Sequence, residues 1–273
     1  MPLKVLTLNV WNDDGPWPAR LGLIRESIRA LDPDLIGFQE ILRGPGIDQL
    51  AALTDGMGYH VDYVEAQRFW KDPSRAFGNA VASRWPITAR HTAALPHRGD
   101  GETRAALTAH IDAPFGEVAF TSTHLNWKLH QSDTRQEQAR ALAEHVLAHR
   151  PRGGFPPIVV GDFNAEPDSD EIRFLCGLHT IGNASVHFRD CWRVAGRPTR
   201  FDDQGTTWSN DNAYTVRSFE PDRRLDYIFV GYPDRRGFGF PLACRVVCNR
   251  ARDGVWPSDH FGVYAELRTE PAS

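Results

Sequence analysis

Short apolar segments of β-strand character recur along the whole chain, and most of them begin or end with a polar residue. Eight such segments are spread over the 273 residues, and no linker-like stretch separates them into two groups. Because rigid strand ends can hold several polar groups in fixed positions, this pattern predicts a site along the rim of a sheet. The segments are residues 4–9, 34–39, 79–83, 105–111, 117–123, 158–160, 225–230 and 261–267.

Helical patterns interrupt the strand-like segments. Apolar residues recur at helical spacing within residues 20–31 and again within residues 134–149. Thr134 and Glu137 have the spacing of a capping box, which predicts that the second helix begins there. A third, shorter helix is predicted over residues 168–175.

The order of these elements predicts the fold class. The first two strands flank a helix, as in a βαβ unit, whereas residues 113–116 have the composition of a hairpin turn. Residues 151–157 are rich in glycine and proline and are interpreted as a loop. We therefore expect one domain, residues 1–273, with a mixed, largely antiparallel α/β architecture in which helices cover the sheets.

Composition excludes several classes of protein. The apolar fraction of 41% can form a sizeable core, and a net charge of −4 gives no support to a strongly basic nucleic-acid-binding surface. The four cysteines form no CxxC pair, so we interpret them as small buried hydrophobes. The chain shows neither a signal peptide nor a membrane-spanning run, which predicts a cytoplasmic protein unless an export signal has been removed.

The polar residues at the strand ends are the candidate site. Taken singly, an asparagine is usually a turn residue, a histidine is usually a satisfied core residue, and a carboxylate is usually solvated or ion-paired. Taken together, carboxylates, amides and imidazoles complement one another chemically. The chain contains no GxSxG elbow, P-loop or GxGxxG, so acyl-enzyme, NTPase and dinucleotide-binding interpretations lack support. The candidates are Asn9, Glu40, His124, Asp162, Asn164, Asp226, Asp259 and His260.

Seven motifs containing these residues resemble, in the same order, those of the endonuclease/exonuclease/phosphatase superfamily. They extend from residue 9 to residue 260, and as a set they are specific for the family although not for a substrate. The resemblance implies a four-layer α/β sandwich, with two packed mixed β-sheets flanked by helices. The motifs are Leu8-Asn9-Val10-Trp11, Gln39-Glu40, Gly78-Asn79-Ala80 with Ser83-Arg84-Trp85-Pro86-Ile87, Thr123-His124-Leu125, Gly161-Asp162-Phe163-Asn164, Arg224-Leu225-Asp226-Tyr227 and Ser258-Asp259-His260.

The same resemblance implies a metal-dependent phosphohydrolase. Asn9, Glu40 and Asp259 match the residues on the family's Mg²⁺ side, and their oxygen atoms suit Mg²⁺, with Mn²⁺ as an alternative. The expected reaction is cleavage of a P–O bond by direct attack of an activated water. Asp162 matches the residue that orients or deprotonates this water, and Asn164 lies beside it in the motif.

Histidines and aromatic residues complete the implied site. His260 matches a phosphate-binding histidine that Asp226 keeps charged, and His124 matches a second histidine facing the phosphate oxygens. Trp11 and Trp127 follow rim segments and are predicted to contact the substrate, although core packing is the alternative interpretation. Asn79 is predicted to bind substrate from its match to the family motif.

The substrate class stays open at this point. The leading hypothesis is a phosphodiesterase acting on a small phosphodiester, a nucleic acid end or a phospholipid head group. One alternative is a phosphomonoesterase acting on a sugar or inositol phosphate, and another is a catalytically silent relative that binds a phosphorylated partner. No stable protein partner is implied.

Overall fold

A computed structural model describes residues 1–196, 204–232 and 236–271 of the chain. Within these residues the chain forms thirteen strands, five α-helices and a 3₁₀ turn at Val216–Ser218. The strands are β1 (Leu3–Asn9), β2 (Leu35–Gly44), β3 (Ile47–Asp48), β4 (His60–Phe69), β5 (Asp72–Ser83), β6 (Ile87–Ala94), β7 (Ala105–Ala113), β8 (Gly116–His124), β9 (Ile158–Asp162), β10 (Phe188–Asp190), β11 (Asp226–Gly231), β12 (Pro241–Val247) and β13 (Gly262–Leu267). The α-helices are α1 (Trp17–Leu31), α2 (Gln49–Thr54), α3 (Ser132–Ala148), α4 (Asp170–Leu175) and α5 (Cys191–Ala195).

The strands form two mixed sheets. The first has the order β12-β13-β1-β2-β5-β4, with β3 paired to β2, and the second has the order β10-β11-β9-β8-β7-β6. Each sheet contains one parallel pair, β1 with β2 and β8 with β9, and the other pairs are antiparallel. The expectation of a mixed, largely antiparallel α/β architecture is therefore confirmed.

Three clusters of buried apolar side chains hold four layers together. The central cluster joins the facing sides of the two sheets and includes Val5 and Val160. A second cluster packs α1 onto the outer face of the first sheet through Ile24 and Ile28. A third packs α3 and α4 onto the outer face of the second sheet. The layer order is thus helix, sheet, sheet, helix, as the resemblance implied.

The two sheets approach each other closely at one glycine. A Cβ atom on Gly37 of β2 would lie 2.2 Å from a methyl carbon of Val160 on β9. Beside this contact, Ser122 on β8 donates a hydrogen bond to the carbonyl of Phe38 at 3.2 Å. The absence of a side chain at residue 37 therefore lets polar as well as apolar contacts cross between the sheets.

The eight predicted strands and three predicted helices are all present, but the start of α3 was predicted wrongly. The capping box at Thr134 and Glu137 does not form, and the helix begins at Ser132. The reason is that the N–H of Arg135 already bonds to the carbonyl of Gln131 at 3.0 Å, so Thr134 lies inside the first turn. The predicted turn at residues 113–116 closes the β7–β8 hairpin.

Five strands and two short helices were not predicted. Two of these strands, β4 and β6, lie at sheet edges and are mostly half-buried or exposed, so their sequences lack a clear apolar alternation. All four cysteines are free; Cys191 and Cys244 are buried as expected, whereas Cys176 and Cys248 are only partly buried. None of the helices in the described part of the chain has the length and apolar character needed to cross a membrane.

Four histidines cluster on the outer face of the second sheet. His91 on β6 stacks on His149 after α3, with ring centroids 4.0 Å apart, and His110 and His145 lie against the same two rings at 5.2 and 4.5 Å. Burial, with the nearby charges of His149 and His91, lowers the pKa of His145 to about 4. Glu117 accepts a hydrogen bond from His110 and is the carboxylate that faces this cluster.

This cluster predicts a loss of stability in mild acid. The unfolded chain binds a proton at each histidine near pH 6.5, whereas folded His145 does so only near 4. The contribution of His145 to the free energy of unfolding is therefore constant above about pH 6.5 and falls as the pH drops from that value toward about 4. His145→Gln should reduce the difference between urea midpoints measured at about pH 7.5 and about pH 5. The exposed His60→Gln should leave that difference unchanged, and an equal effect of both variants would contradict the prediction.

Candidate active site

The sheet registers bring the polar strand ends together. In the first sheet the parallel pairing of β1 and β2 places Asn9 opposite Gln39. In the second sheet the parallel pairing of β8 and β9 places His124 opposite Asp162, and the antiparallel β11 places Asp226 opposite Asp162 from the other side. The predicted common rim is therefore formed by both sheets.

Asp162 lies at the centre of this rim and is 1% exposed. Its Oδ2 accepts a hydrogen bond from Nδ2 of Asn9 at 3.0 Å, and its Oδ1 accepts one from the backbone N–H of Asn164 at 2.9 Å. Two imidazoles approach the same Oδ2, with Nε2 of His124 at 3.3 Å and Nε2 of His260 at 3.6 Å. One carboxylate is thus fixed by contacts from both sheets.

Burial raises the pKa of Asp162 to about 6, and the charge of Asp226 adds to this effect while His260 opposes it. A carboxylate with such a pKa is ionised near neutral pH and is a stronger proton acceptor than an exposed aspartate. This environment suits a group that takes a proton from water.

His260 is held between acidic residues. Its Nδ1 lies 2.8 Å from Oδ2 of Asp226, and the ring of Trp208 packs edge-on against it with centroids 5.0 Å apart. Burial disfavours the charged imidazolium, yet the charges of Asp226 and Asp162 outweigh burial and raise the pKa of His260 well above its usual value. The Asp226–His260 contact expected from the motifs is present.

His124 has the opposite electrostatic character. It is buried, and burial together with the charges of Arg104 and His260 lowers its pKa well below the usual value. Nδ2 of Asn164 lies 3.0 Å from Nε2 of His124 and donates to the carbonyl of Leu125 at 3.2 Å. Oδ2 of Asp162 therefore has both a neutral imidazole and a charged one beside it.

Glu40 and Asp259 form the acidic end of the site and line the cleft described below. Neutral groups orient both: Nδ2 of Asn12 donates to Oε2 of Glu40 at 2.9 Å, and the hydroxyl of Ser258 donates to Oδ1 of Asp259 at 3.1 Å. Among the described residues, neither carboxylate has a cationic side chain within ion-pair distance. Burial, with the charge of Glu40 adding to it, raises the pKa of Asp259 to about 7.

This donor set fits a hard divalent cation. Two carboxylates that face a cleft, oriented by an amide and a hydroxyl, resemble the few-ligand sites that Mg²⁺ occupies. A second location is also compatible with a metal, because the ligand atoms of Asp162, Asp226 and His260 lie within 4.8 Å of one another. In that trio Asp226 already holds Nδ1 of His260 and does not line the cleft, whereas Glu40 and Asp259 both do.

Asn9 connects the acidic end to the centre. Its Nδ2 donates to Oε1 of Glu40 at 3.1 Å as well as to Asp162, and its Oδ1 accepts the backbone N–H of Trp11 at 2.9 Å. The amide therefore presents its nitrogen to the carboxylates, and turning it over would lose the bond to Trp11. This arrangement makes Asn9 a positioning residue, and its role as a metal ligand stays a prediction.

The site opens into a cleft with a volume of about 670 Å³. Trp11 and Trp127 both line this cleft, and Trp127 is 57% exposed, so both can contact a substrate. Asn79 lies outside the cleft lining: it is buried in β5, and its Nδ2 donates to the carbonyl of Ala105 at 2.8 Å. The geometry gives Asn79 a structural contact, and its predicted contact with substrate has no support from its position.

Comparisons with known proteins agree with this geometry. A model of the "Endonuclease/Exonuclease/phosphatase family" matches residues 6–260. A Caenorhabditis elegans protein named "Putative neutral sphingomyelinase" is 26% identical over 97% of this chain, and the chain spans 66% of that relative's length.

Two solved structures show the same fold. An endonuclease/exonuclease/phosphatase from Beutenbergia cavernae has a TM-score of 0.73 and 26% identity, covering 98% of this chain and 71% of that one. TDP2 of D. rerio, complexed with a single-strand DNA product, has a TM-score of 0.76 and 19% identity over 98% and 99% of the two chains. At that lower identity the likeness concerns the fold alone.

Arg20 supports the site and was not predicted from the sequence. Arg20 is fully buried on α1. It precedes Ile24 and Ile28 at four-residue spacing and therefore lies on the same face of the helix. An arginine on this apolar face is the sequence signal that could have revealed its role. Its guanidinium donates hydrogen bonds of 2.7 to 3.1 Å to the carbonyls of Val10, Trp11, Asn12, Asp14 and Pro257.

These bonds fix a strained loop. Trp11 and Asn12 have φ values of 56° and 36°, a left-handed conformation that is uncommon outside glycine. Since Asn12 orients Glu40, Arg20 determines where the acidic end of the site lies.

Arg20→Lys should therefore destabilise the protein. A lysine keeps the charge but cannot donate to five carbonyl oxygens, so we expect a loss of about 2–4 kcal/mol in the free energy of unfolding. Urea denaturation measures this loss, and Arg29→Lys on the exposed side of the same helix is the matched control. If the two variants differ by less than about 0.5 kcal/mol, the supporting role of Arg20 is refuted.

Proposed function

Because the chain belongs to the endonuclease/exonuclease/phosphatase family, whose members are metal-dependent phosphoric ester hydrolases, we propose that it is a Mg²⁺-dependent phosphodiesterase. The observation that supports this most directly is the environment of Asp162. This buried carboxylate is held by Asn9 and Asn164 and faces one neutral and one charged imidazole at the floor of an open cleft. The proposed reaction is attack of a water molecule on phosphorus with cleavage of one P–O bond.

In this proposal Asp162 orients the attacking water and accepts its proton. Its two oxygen atoms are fixed by hydrogen bonds from different elements, so little reorganisation is needed when the water binds. His260, charged and oriented by Asp226, donates to a phosphoryl oxygen and stabilises the negative charge that develops there. His124 also lies beside Oδ2 of Asp162, and Asn164 contacts its ring.

Glu40 and Asp259 are the residues proposed to hold the cation. Asn9, Asn12 and Ser258 orient their oxygen atoms through neutral hydrogen bonds, and within the described part of the chain no cationic side chain forms an ion pair with either carboxylate. When bound, Mg²⁺ supplies positive charge that neutralises the phosphate and the leaving oxygen.

A diester is favoured over a monoester by the shape of the cleft and by one relative. A volume of about 670 Å³ is far larger than a phosphate group needs, and the cleft is lined by segments on both sides of Asp162. A relative with the name of a sphingomyelinase supports a diester substrate. The complete set of acids, amides and histidines argues against a silent relative.

Metal removal tests this proposal. The protein should hydrolyse bis-p-nitrophenyl phosphate faster than p-nitrophenyl phosphate, lose activity in EDTA and regain it with Mg²⁺ or Mn²⁺ but less with Zn²⁺. Glu40→Gln should raise the Mg²⁺ concentration needed for half-maximal rate, whereas the exposed Glu144→Gln should not. Full activity in excess chelator would exclude the metal-dependent mechanism. Preference for the monoester would identify a phosphomonoesterase, and inactivity on both compounds would favour a silent relative.

Replacing the proposed base is a separate test. Asp162→Asn keeps the size of the side chain but cannot accept the proton, so kcat should fall by about 100-fold or more. KM should change much less, because the base acts mainly in the transition state. Steady-state kinetics of this variant and of the exposed Asp168→Asn provide the comparison. If Asp162→Asn keeps more than about a tenth of kcat, another group is the base.

A further inference from the structure

The four histidines on the outer face of the second sheet have no part in the proposed mechanism. We name this group the histidine cluster; its members are His91, His110, His145 and His149, and none of them lines the cleft. All four residues are half-buried, so their rings are held by neighbours and can still be reached from solvent. Because imidazole nitrogen is a preferred ligand of divalent transition metals, the histidine cluster is a candidate metal site.

Two strands and one helix bring these rings together. His91 on β6 lies opposite Thr108 of β7, and His110 follows Thr108 by two residues, so both imidazoles project from the same face of the sheet. Their ring centroids are 5.2 Å apart. At the end of α3, the ring of His149 lies 4.0 Å from that of His91, and the ring of His145 lies 4.5 Å from that of His149. The cluster therefore spans three elements that meet at one surface.

His110 has the hydrogen bonds of a metal-ligating histidine. Such a residue almost always donates one ring N–H to a carboxylate or a carbonyl, which fixes the tautomer and leaves the other nitrogen for the metal. Nδ1 of His110 lies 2.5 Å from Oε1 of Glu117, whereas its Nε2 is buried and has no hydrogen-bond partner among the described residues. The two nitrogens of an imidazole point apart, so Nε2 faces away from Glu117 on β8. A buried lone pair without a donor is therefore present in the cluster.

His149 repeats this pattern. Its Nδ1 lies 2.8 Å from the backbone carbonyl of His145, one turn earlier in the chain. A carbonyl only accepts hydrogen bonds, so Nδ1 carries the proton and the lone pair of the neutral ring is on Nε2. Two histidines of the cluster thus have their Nδ1 engaged by an oxygen atom and their Nε2 available to a ligand.

His91 lies between these two rings and is the third candidate ligand. Burial, together with the charges of His149 and His110, lowers its pKa. Its ring is therefore neutral near pH 7, and only an unprotonated imidazole binds a metal. The groups whose charges act on His91 and His145 are other histidines of the cluster, and the nearby carboxylate of Glu117 favours a cation.

Binding requires a small rearrangement of the rings. Tetrahedral Zn²⁺ holds nitrogen ligands at about 2.1 Å, which places two of them about 3.3 Å apart. The centroid distances allow this separation, but the nitrogens do not yet converge: in the described part of the chain, one trio has its ligand atoms within 4.8 Å, and it belongs to the active site. His91 is half-buried on the edge strand β6, so its side chain can turn without disturbing the core.

We propose that His91, His110 and His149 bind a divalent transition-metal ion such as Zn²⁺. Three protein ligands leave the fourth tetrahedral position to water. Glu117 and the carbonyl of His145 are positioning groups, since each fixes the tautomer of one ligand. The ion links the edge strand β6 and its neighbour β7 to the end of α3. This inference goes beyond the proposed function and does not depend on it.

Zinc affinity in the presence of excess Mg²⁺ tests the proposal. Competition with a chromophoric zinc chelator measures the Kd, and His149→Gln should raise it by about tenfold or more because one nitrogen ligand is lost. Glu117→Gln keeps all three imidazoles but weakens the hold on His110, so it should also raise the Kd about tenfold. The matched control is the exposed His60→Gln, which should keep the wild-type Kd.

Imidazole NMR spectra locate the ion directly. In long-range ¹H–¹⁵N spectra, Zn²⁺ should shift Nε2 of His110 and of His149 and leave the ring nitrogens of His124 and His260 in place. Zn²⁺ should also raise the thermal unfolding midpoint of the wild type, and raise it less in His149→Gln, because a ligand that binds only the folded state stabilises it.

Two results would overturn the proposal. One is an equal zinc Kd in the wild type, His149→Gln and Glu117→Gln, and the other is a set of NMR shifts confined to His124 and His260, which would place zinc in the active site. If His149→Gln does not fold, the partly exposed Glu117→Gln decides the first result alone. Hydrolysis of bis-p-nitrophenyl phosphate with Mg²⁺ should be the same in Glu117→Gln and the wild type, so the zinc site and the proposed function can fail independently.

Discussion

The amide of Asn9 joins the two sheets at the point where the site forms. Asn9 ends β1 of the first sheet, and its nitrogen donates both to Glu40 in that sheet and to Asp162 in the second. Behind this contact, the hydroxyl of Ser122 lies between the carbonyl of Phe38 and the amide of Gln39 and adds a buried polar bridge. The spacing of the acidic residues thus depends on how the sheets pack, and a shift of one sheet against the other would separate Asp162 from Glu40.

Burying several charges where the two sheets pack together costs free energy and makes their relative position specific. Asp162, Asp226 and Asp259 are all buried around one imidazole, and buried carboxylates cost free energy unless they are paired. The positive charges of His260 and Arg20 compensate part of this negative charge. The remaining excess of negative charge lies at the Glu40 end. The same arrangement that destabilises the folded protein therefore creates the attraction for a cation.

Much of this architecture could be predicted because it depends on local patterns of apolar and polar residues. Residues 158–160 are apolar on both faces, and the residues that follow them are polar, so β9 and Asp162 were recognisable. Edge strands such as β4 lack that contrast, since their exposed positions accept many residue types.

Long-range contacts account for what the sequence could not predict at the site. The grouping of Asp162 with His124 and Asp226 follows from sheet register, which local patterns do not determine. The role of Arg20 depends in part on the carbonyl of Pro257, which lies 237 positions along the chain. Asn79 matched a motif, yet β5 directs its amide to the backbone of Ala105, away from the cleft.

The neighbours of β1 have a consequence for biosynthesis. This strand lies between β2 and β13, so the first of the thirteen described strands is completed by the last of them, and the hydroxyl of Ser258 donates to the carbonyl of Asn9 across 249 positions. Pairing over such separations is entropically demanding and slow. Asn9 and Glu40 can therefore meet Asp259 and His260 only after β13 has been synthesised, and a nascent chain lacks the assembled site until that closure.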